Sequence, residues 1–373
     1  MAVAQVFTIL FISEHCGADS VNNVPAGRLI SLDAFRGLSI AAMILVNNPG
    51  SWDHVYPQLL HAEWVGWTFT DSIFPTFLFI VGVAMWFSFK SYSGDDRRSL
   101  WSKILLRAAL IFLVGLFISW FPFHNLSTDN LHFVGVLQRI AVSYIIASFI
   151  CISFGRMMVA AFAVLLLLMH WLLTVQIGAG EPYVKDVVFR PGIDLVSLRS
   201  CLSSAVPIII GYLVGSYIDR PRCDAISVSK LAGIGVFMAL VGLLWSLEFP
   251  IIKSLLWSSS YVLFSVGISI VAFSFCLYLI EEKHFKSWAI PFVHIGLNPL
   301  FLYAFSIILD KLTWLIKVGG GDAQIPLHVW IHETVFRPWA GDINGSLLYA
   351  ICFVAIHWLI AYGMFRKRAF VKV

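Results

Sequence analysis

Charged residues are scarce in this sequence. Only 12% of its 373 residues are charged, whereas 59% are hydrophobic. Soluble domains carry roughly 25% charged residues, so the composition excludes an ordinary soluble protein. We therefore interpret the chain as an integral membrane protein surrounded by lipid, and we expect no nucleic-acid partner.

The cysteines are few and scattered, and they form no motif. There is no CxxC pair and no spacing typical of a metal site. Most lie in or beside apolar stretches, where a free cysteine behaves as a small hydrophobe. We predict packing roles for them, with no disulfide framework, no cysteine nucleophile and no metal. They are Cys16, Cys151, Cys201, Cys223, Cys276 and Cys352.

Long apolar runs recur along the chain instead. Crossing the ~30 Å hydrocarbon layer takes about 20 helical residues, and ten runs approach or exceed that length. The predicted fold class is all-α, a polytopic membrane helical bundle of about ten transmembrane helices. The predicted spans are 30–48, 71–90, 104–121, 132–154, 157–177, 201–218, 229–247, 255–280, 288–309 and 346–365.

The distribution of lysine and arginine predicts the orientation. Of 25 such residues, 17 lie in links or towards the span ends on one side of the membrane and 7 on the other, and Arg139 is assigned to neither side. Positive charge accumulates on the cytoplasmic side, so both termini are predicted to be cytoplasmic. Residues 1–27, with the short apolar stretch "AVAQVFTILFI", form a poorly defined N-terminal segment. Residues 28–373 are predicted to form a single transmembrane domain.

Three polar residues share one stripe of the first span. At about 100° per residue, Asp33 lies about 60° and Asn47 about 20° from Arg36 around the helix axis. Gly37 and Ala41 form a small-xxx-small pair that lets another helix approach closely. Asp33 and Arg36 could instead be an ion pair at the cytoplasmic membrane edge, and the sequence leaves both interpretations open.

Arg139 is the least expected charge in the chain. In "LHFVGVLQRIAVSYI" it lies about eight residues inside the predicted fourth span, where an unpaired charge costs at least a few kcal/mol. We predict that Arg139 and the adjacent Gln138 bind a ligand. The alternative is a structural ion pair between Arg139 and either Asp71 or Asp33.

Asn298 and Pro299 lie in the middle of the predicted ninth span. Proline removes a backbone donor, so the pattern predicts a kinked helix. Such breaks persist where they are buried in protein or line a cavity. The sequence does not choose between a binding cavity and a plain kink.

The segment "NNPGSWDHVYPQLLHAEWVGWTFTD", residues 47–71, joins the first two spans. Its prolines and Gly50 predict a non-helical cap over residues 48–68, on the face opposite the cytoplasm. His61 lies ten residues before Asp71. We expect Asp71 to open the second span as its N-cap. A neutral histidine whose tautomer is set by a carboxylate suits general base catalysis. Trp52 is interpreted as part of an interfacial aromatic belt.

A family resemblance adds to this interpretation. Residues 28–85, from "RLISLDAFRG" to "FIVGVAM", resemble the opening of the heparan-α-glucosaminide N-acetyltransferase family, and in particular its bacterial membrane members. Further matching stretches are "GVLQRIAVSYIIAS", "LWSSSYVLFSVG" and "PFVHIGLNPLFLYAFS". The resemblance extends, with gaps, from about residue 28 to the C-terminus.

The resemblance implies an activity and catalytic residues. The family transfers an acetyl group from cytosolic acetyl-CoA to the amino group of a glucosamine across the membrane, and the lysosomal member acts on heparan sulfate. Its essential histidine lies in an H-A-x-W-x-G element, here "HAEWVG", which implies that role for His61. Its functional asparagine and the aspartate that opens the second span match Asn47 and Asp71.

We therefore expect a transmembrane acyltransferase domain with acetyl-CoA as the donor, no metal and an amino sugar as the acceptor. In the lysosomal enzyme the link before the histidine is shorter, and a large luminal domain precedes the first span. The match to bacterial members favours a bacterial inner membrane, and a homodimer is compatible with the sequence. The donor is expected to contact Arg36, Asp33, Arg139, Gln138 and Asn298, and the sugar Trp64, Trp67 and His54.

Two other classes of protein stay open. A secondary transporter of amino sugars or related solutes would also contain intramembrane charges and a broken helix, although the sequence has no visible inverted repeat. A non-catalytic membrane scaffold would explain the aromatic residues but not the combination of His61, Asn47 and Arg139.

Overall fold

The structure is a computed structural model that describes residues 29–90, 92, 97–122, 135–175, 195–219, 225–251, 256–319 and 324–371. The predicted N-terminal segment 1–27 lies outside the described residues. The helices, numbered in chain order, are α1 Ile30–Asn47, α2 Phe69–Lys90, α3 Arg97–Trp120, α4 Val136–Ser153, α5 Arg156–Val175, α6 Leu195–Ile218, α7 Ala225–Trp245, α8 Ser259–Leu277, α9 Ile290–Leu297, α10 Pro299–Leu315, α11 Leu327–Ile331, α12 Arg337–Ala340 and α13 Asp342–Arg366.

The predicted all-α membrane bundle is confirmed. Within the described residues, nine helices are long and apolar enough to cross a membrane, and the bent pair α9–α10 brings the number to ten. The strands found there are β1 Lys317–Val318 and β2 Ile325–Pro326, which pair antiparallel with Lys317 opposite Pro326. Each of the ten predicted spans corresponds to one of these helices or to the bent pair.

The predicted break in the ninth span is also confirmed. Helices α9 and α10 are bent by 76° at Asn298, and Pro299 is the first residue of α10. Proline is well tolerated at this position because a first-turn amide has no partner within its own helix. The bend therefore lies where the sequence placed it.

Two helix boundaries differ from prediction in ways that affect the site. Helix α4 begins at Val136 rather than 132, because Gly135 is extended, with φ −76° and ψ 174°. Arg139 is consequently the fourth residue of α4, in its first turn, and not eight residues deep as predicted. Helix α2 begins at Phe69, two residues before the predicted start.

The described residues form two compact units. A terminal unit lies within Met1–Tyr56 and Cys276–Val373, and a central unit lies within Pro57–Phe275. The single transmembrane domain expected from the sequence stays a prediction.

In the central unit, glycines let α2 and α6 pack backbone to backbone. A Cβ atom at Gly82 of α2 would collide with the carbonyl oxygen of Ile208, and one at Gly211 of α6 would collide with that of Phe79. Helix α6 also packs against α4 and α5, and α4 packs against α3. This close packing holds the helices that carry Asp71 and Arg139.

The terminal unit has a similar crossing between α1 and α9. A Cβ atom at Gly37 would collide with the carbonyl of Phe292, and one at Gly296 would collide with the carbonyl of Asp33. The close approach predicted at Gly37 is therefore confirmed. Helix α13 packs against both α1 and α9.

Candidate active site

The structure brings His61 and Asp71 together as a hydrogen-bonded pair in the central unit. Nδ1 of His61 lies 2.8 Å from Oδ1 of Asp71, whose side chain is 0% exposed, whereas the His61 side chain is 47% exposed. The carboxylate can only accept, so Nδ1 of the neutral ring carries the proton. Nε2 then keeps its lone pair, which is the arrangement a general base requires.

The second carboxylate oxygen of Asp71 holds the start of α2. Oδ2 accepts hydrogen bonds from the backbone N–H of Ala62 at 3.2 Å and from the backbone N–H and the hydroxyl of Thr68, both at 3.0 Å. Thr68 precedes the first helical residue, so the N-cap predicted at Asp71 is wrong. Asp71 is the third helical residue, and it bonds back to the N-cap amide as in a capping box.

Gly66 explains the last position of the "HAEWVG" element. Its φ is +118°, a region that side-chain-bearing residues rarely adopt, and its backbone N–H donates to the carbonyl of Ile251 at 2.9 Å. The glycine therefore turns the chain between His61 and Thr68 and ties it to the segment before α8.

The first turns of α2, α4 and α8 meet at this end of the central unit. Tyr261, the third residue of α8, is 0% exposed and donates its hydroxyl to the backbone carbonyl of Asp71 at 2.6 Å. Its ring is edge-on to Trp257, with centroids 5.4 Å apart. The guanidinium of Arg139 lies over the ring of Trp257, 5.3 Å from its centroid.

The ion pair that sequence offered as an alternative for Arg139 is absent from the described part of the central unit. Asp71 pairs with His61, and Asp33, in the terminal unit, pairs with Arg36 at 3.2 Å. Arg139 is 7% exposed. The expectation that Asp71 neutralises Arg139 is therefore wrong, and the alternative with Asp33 stays a prediction.

The remaining predicted residues of the central unit are Gln138, Trp67 and Trp64. Gln138 is buried, with its side-chain oxygen against Gly115 of α3 and Gly135. Trp67 donates its indole N–H to Ser72 at 2.7 Å, and its ring meets Phe264 edge-on at 5.5 Å. Trp64 is half-buried. Their ligand-binding roles stay predictions.

In the terminal unit, Asp33 and Arg36 form part of the α1–α9 crossing. Arg36 contacts Asp33 and also donates to the carbonyl of Gly296 at 3.0 Å. The amide of Asn298 donates to the carbonyl of Ala369 at 3.2 Å and accepts from the N–H of Val371 at 2.7 Å. Asn298 thus holds the C-terminal segment, and its role in donor binding stays a prediction.

Asn47 and His54 lie on either side of a docked turn. Asn47 is the exposed last residue of α1, and His54 is half-buried. Between them, Nε2 of the buried His328 lies 3.1 Å from the carbonyl of Pro49. The catalytic role of Asn47 and the substrate-binding role of His54 stay predictions.

A buried polar network surrounds His328. Its Nδ1 lies 3.1 Å from the Tyr349 hydroxyl and 3.5 Å from a carboxylate oxygen of Asp310, and Trp314 stacks on its ring at 4.5 Å. No motif pointed to this network. The sequence marks Trp257 and Tyr261 only as members of the family-like stretch "LWSSSYVLFSVG", because nothing local shows that this helix end meets Asp71.

These features define a polytopic α-helical membrane protein with a carboxylate–histidine pair where helix ends meet. Residues 28–190 match the family model described as heparan-alpha-glucosaminide N-acetyltransferase, catalytic. The resemblance to this family is thereby confirmed for residues 28–190, and its extension to the C-terminus stays a prediction. The matched range contains Asn47, His61, Asp71 and Arg139.

Two curated relatives are similar over part of the chain. The heparan-alpha-glucosaminide N-acetyltransferase of Mus musculus is 35% identical over 127 residues, which are 33% of this chain and 19% of the relative. The protein of that name from Homo sapiens is 34% identical over 133 residues, which are 35% of this chain and 20% of the relative. The chain thus spans about a fifth of the length of the curated relatives it matches.

Proposed function

We propose that this protein is an integral membrane N-acetyltransferase. It moves an acetyl group from cytosolic acetyl-CoA to the amino group of a glucosaminide on the periplasmic or luminal side, in a bacterial inner membrane. The observation that carries the proposal is the His61–Asp71 pair, which lies within the region similar to N-acetyltransferases. The Asp71 carboxylate is fully buried, whereas the His61 imidazole is exposed and therefore accessible to a ligand.

In the general-base route, Nε2 of His61 takes the proton of the acceptor amine. The amine nitrogen attacks the carbonyl carbon of the thioester, the carbon–sulfur bond breaks and coenzyme A leaves as a thiolate. The imidazolium returns its proton to the thiolate, so the ring is ready for another turnover. The Asp71 carboxylate stabilises the imidazolium while it exists.

In the nucleophilic route, Nε2 of His61 attacks the thioester itself. Coenzyme A leaves, an acetyl-imidazole forms, and the amine then attacks it and releases its proton to solvent. Exchange of labelled coenzyme A into acetyl-CoA without any sugar distinguishes this route, because only a covalent intermediate permits it.

The other site residues complete the proposal. Asn47 donates a hydrogen bond to the developing oxyanion, a contribution of about 3 kcal/mol. The donor is bound by Arg36, Asp33, Arg139, Gln138 and Asn298. The sugar is bound by Trp64, Trp67 and His54. These assignments rest on the sequence pattern and the resemblance.

The test is transfer of radiolabelled acetyl from acetyl-CoA by the purified full-length protein in detergent. Glucosamine and short glucosaminides are offered as acceptors to wild type, His61→Asn and Asn47→Ala. His284→Asn is the matched control, because His284 is an exposed histidine at φ +55°, where asparagine is tolerated. Label in the sugar that is lost in His61→Asn and kept in His284→Asn supports the proposal.

Two results contradict it. If acetyl-CoA does not bind, the enzyme interpretation fails, and sugar uptake into vesicles without acetyl-CoA then tests the transporter. If transfer persists in His61→Asn at the wild-type rate, His61 is neither base nor nucleophile.

A further inference from the structure

Arg139 is a buried cation, and among the described residues no carboxylate forms an ion pair with it. It is 7% exposed, and its guanidinium stacks over Trp257 at 5.3 Å. In the described part of the chain it forms no ion pair, and its side chain donates no hydrogen bond.

Stacking leaves most of the recognition capacity of a guanidinium unused. The group is always charged and has five N–H donors in a planar fork. A ring beneath its face stabilises the cation by less than it costs to remove an ion from water. The donors at its edge are suited to an oxyanion, which they can bind with two parallel hydrogen bonds.

The position of Arg139 in α4 increases the positive potential. The N-terminal end of a helix carries a partial positive charge, so a cation in the first turn is unfavourable there. The first turns of α2 and α8 meet at the same place, through the hydrogen bond from Tyr261 to Asp71. The carboxylate of Asp71 is already occupied by His61, Ala62 and Thr68. An arriving anion is therefore favoured.

Trp257 is strained in a way that supports a built site. Its φ is +52°, a left-handed conformation that is rare for a bulky residue, and it is 1% exposed. Phe74 and Tyr261 hold its ring edge-on, at 5.1 and 5.4 Å. Strained residues cluster at functional sites, because elsewhere their cost brings no benefit. Here the strained residue is the one beneath Arg139.

We propose that Arg139, stacked on Trp257, is a binding site for a carboxylate or phosphate group of the ligand that reacts at His61. The inference rests on the proposed function and adds that one of the two substrates carries an anionic group that Arg139 binds. The oxyanion has two sources: a phosphate of the acyl-CoA donor, to which the sequence pattern assigns Arg139, or an acidic group of the acceptor, such as a neighbouring uronate. Both share the chemistry that the guanidinium recognises.

The experiment measures dissociation constants in two matched pairs of probes, using the purified full-length protein in detergent. Glucosamine is compared with a disaccharide of glucosamine and glucuronate, and pantetheine is compared with coenzyme A. We expect wild type to bind the acidic member of one pair at least about tenfold more tightly, as a charged hydrogen-bonded contact implies. The pair of probes whose dissociation constants differ by this ratio identifies whether the oxyanion belongs to the acceptor or to the donor.

Variants assign the ratio to Arg139. Arg139→Met should reduce it to about one, and Arg139→Lys should retain part of it, because the charge stays while the fork is lost. Arg156→Met is the matched control, since Arg156 also stacks on a tryptophan, Trp86, at 5.6 Å, but is exposed. It should leave the ratio unchanged.

Equal affinities within both pairs in wild type would overturn the proposal, whether or not any variant folds. An unchanged ratio in folded Arg139→Met would also overturn it. Because binding is measured without turnover, a protein that transfers no acetyl can still show the ratio. His61→Asn should lose transfer and keep the ratio, which separates this inference from the proposed function.

Discussion

The hydroxyl of Tyr261 donates a 2.6 Å hydrogen bond to the backbone carbonyl of Asp71, 190 positions earlier in the chain. The acid of the His61–Asp71 pair is therefore anchored from two sides: by the capping contacts at the start of α2 and by the first turn of α8. The contact from Tyr261 is buried, and the capping contacts are partly buried. This anchoring keeps the carboxylate in place while the exposed imidazole meets a ligand.

Asp71→Asn should reduce acetyl transfer at least about 100-fold, within the range that a positioned general base contributes. The amide can donate to Nδ1, which would move the ring proton to Nε2 and remove the lone pair that takes the amine proton. Initial rates at saturating acceptor measure the effect.

Thr68→Val is the control for that variant. It removes a capping hydroxyl, at a cost of about 1 kcal/mol in the free energy of unfolding, and leaves the contact between Asp71 and His61. Similar losses of transfer in the two variants would mean that Asp71 acts through the fold of the helix start alone.

Gly66→Ala should destabilise the protein by about 1 to 2 kcal/mol, the usual cost of a left-handed conformation for a residue with a side chain. The strain comes from φ +118° and not from crowding, because the nearest atom to a new Cβ would be Cβ of Ala62 at 4.0 Å. The shift in the thermal unfolding midpoint in detergent measures it.

Gly155→Ala is matched to this change. Nothing lies within 4 Å of a Cβ atom at Gly155, and its φ lies outside the left-handed region. Its unfolding midpoint should stay close to that of wild type, and a loss as large as that of Gly66→Ala would refute the explanation from φ.

His328→Ala should loosen the turn at Pro49 and lower the free energy of unfolding by about 1 to 3 kcal/mol. The substitution removes the partner of a carbonyl and leaves Tyr349 and Asp310 facing a buried space. Faster proteolysis within residues 48–56 would report the loosened turn. His328→Gln, whose amide can donate to the carbonyl, should restore part of the protection, whereas equal cleavage in all three proteins would refute the contact.

Asp219 should make a pH-dependent contribution to stability at the other end of α2. The hydrogen bond from Lys90, at 2.9 Å, lowers the pKa of Asp219, partial burial opposes this, and a hydrogen bond from Trp86 lowers the pKa further. A lowered pKa in the folded state means that the stabilisation is present above the ordinary value of 3.8 and disappears as the pH falls through the folded value.

Unfolding midpoints of wild type and Asp219→Asn between pH 3 and pH 7 test this sign. The difference between the two proteins should be constant near neutral pH and shrink below the ordinary aspartate pKa of about 4. Glu282→Gln, at an exposed position, serves as the control, and a difference that grows on acidification would contradict the prediction.

The sequence by itself determined the number and order of the membrane helices and the break at Asn298. Both follow from local causes: the length of an apolar run relative to the bilayer, and the missing amide of proline. The pairing of His61 with Asp71 also has a local cause, because the two residues are only ten positions apart and the loop between them leads directly into the start of α2. Motif resemblance added their chemical roles.

Only the tertiary structure decided what surrounds Arg139. The sequence offered Asp71 or Asp33 as partners, yet each carboxylate binds a cation or an imidazole nearer in the chain. The ring beneath Arg139 comes from Trp257, 118 positions further along the chain. Hydropathy shows which helices form but not which helix ends meet, because that depends on packing at glycines such as Gly82 and Gly211, which let whole backbones approach each other.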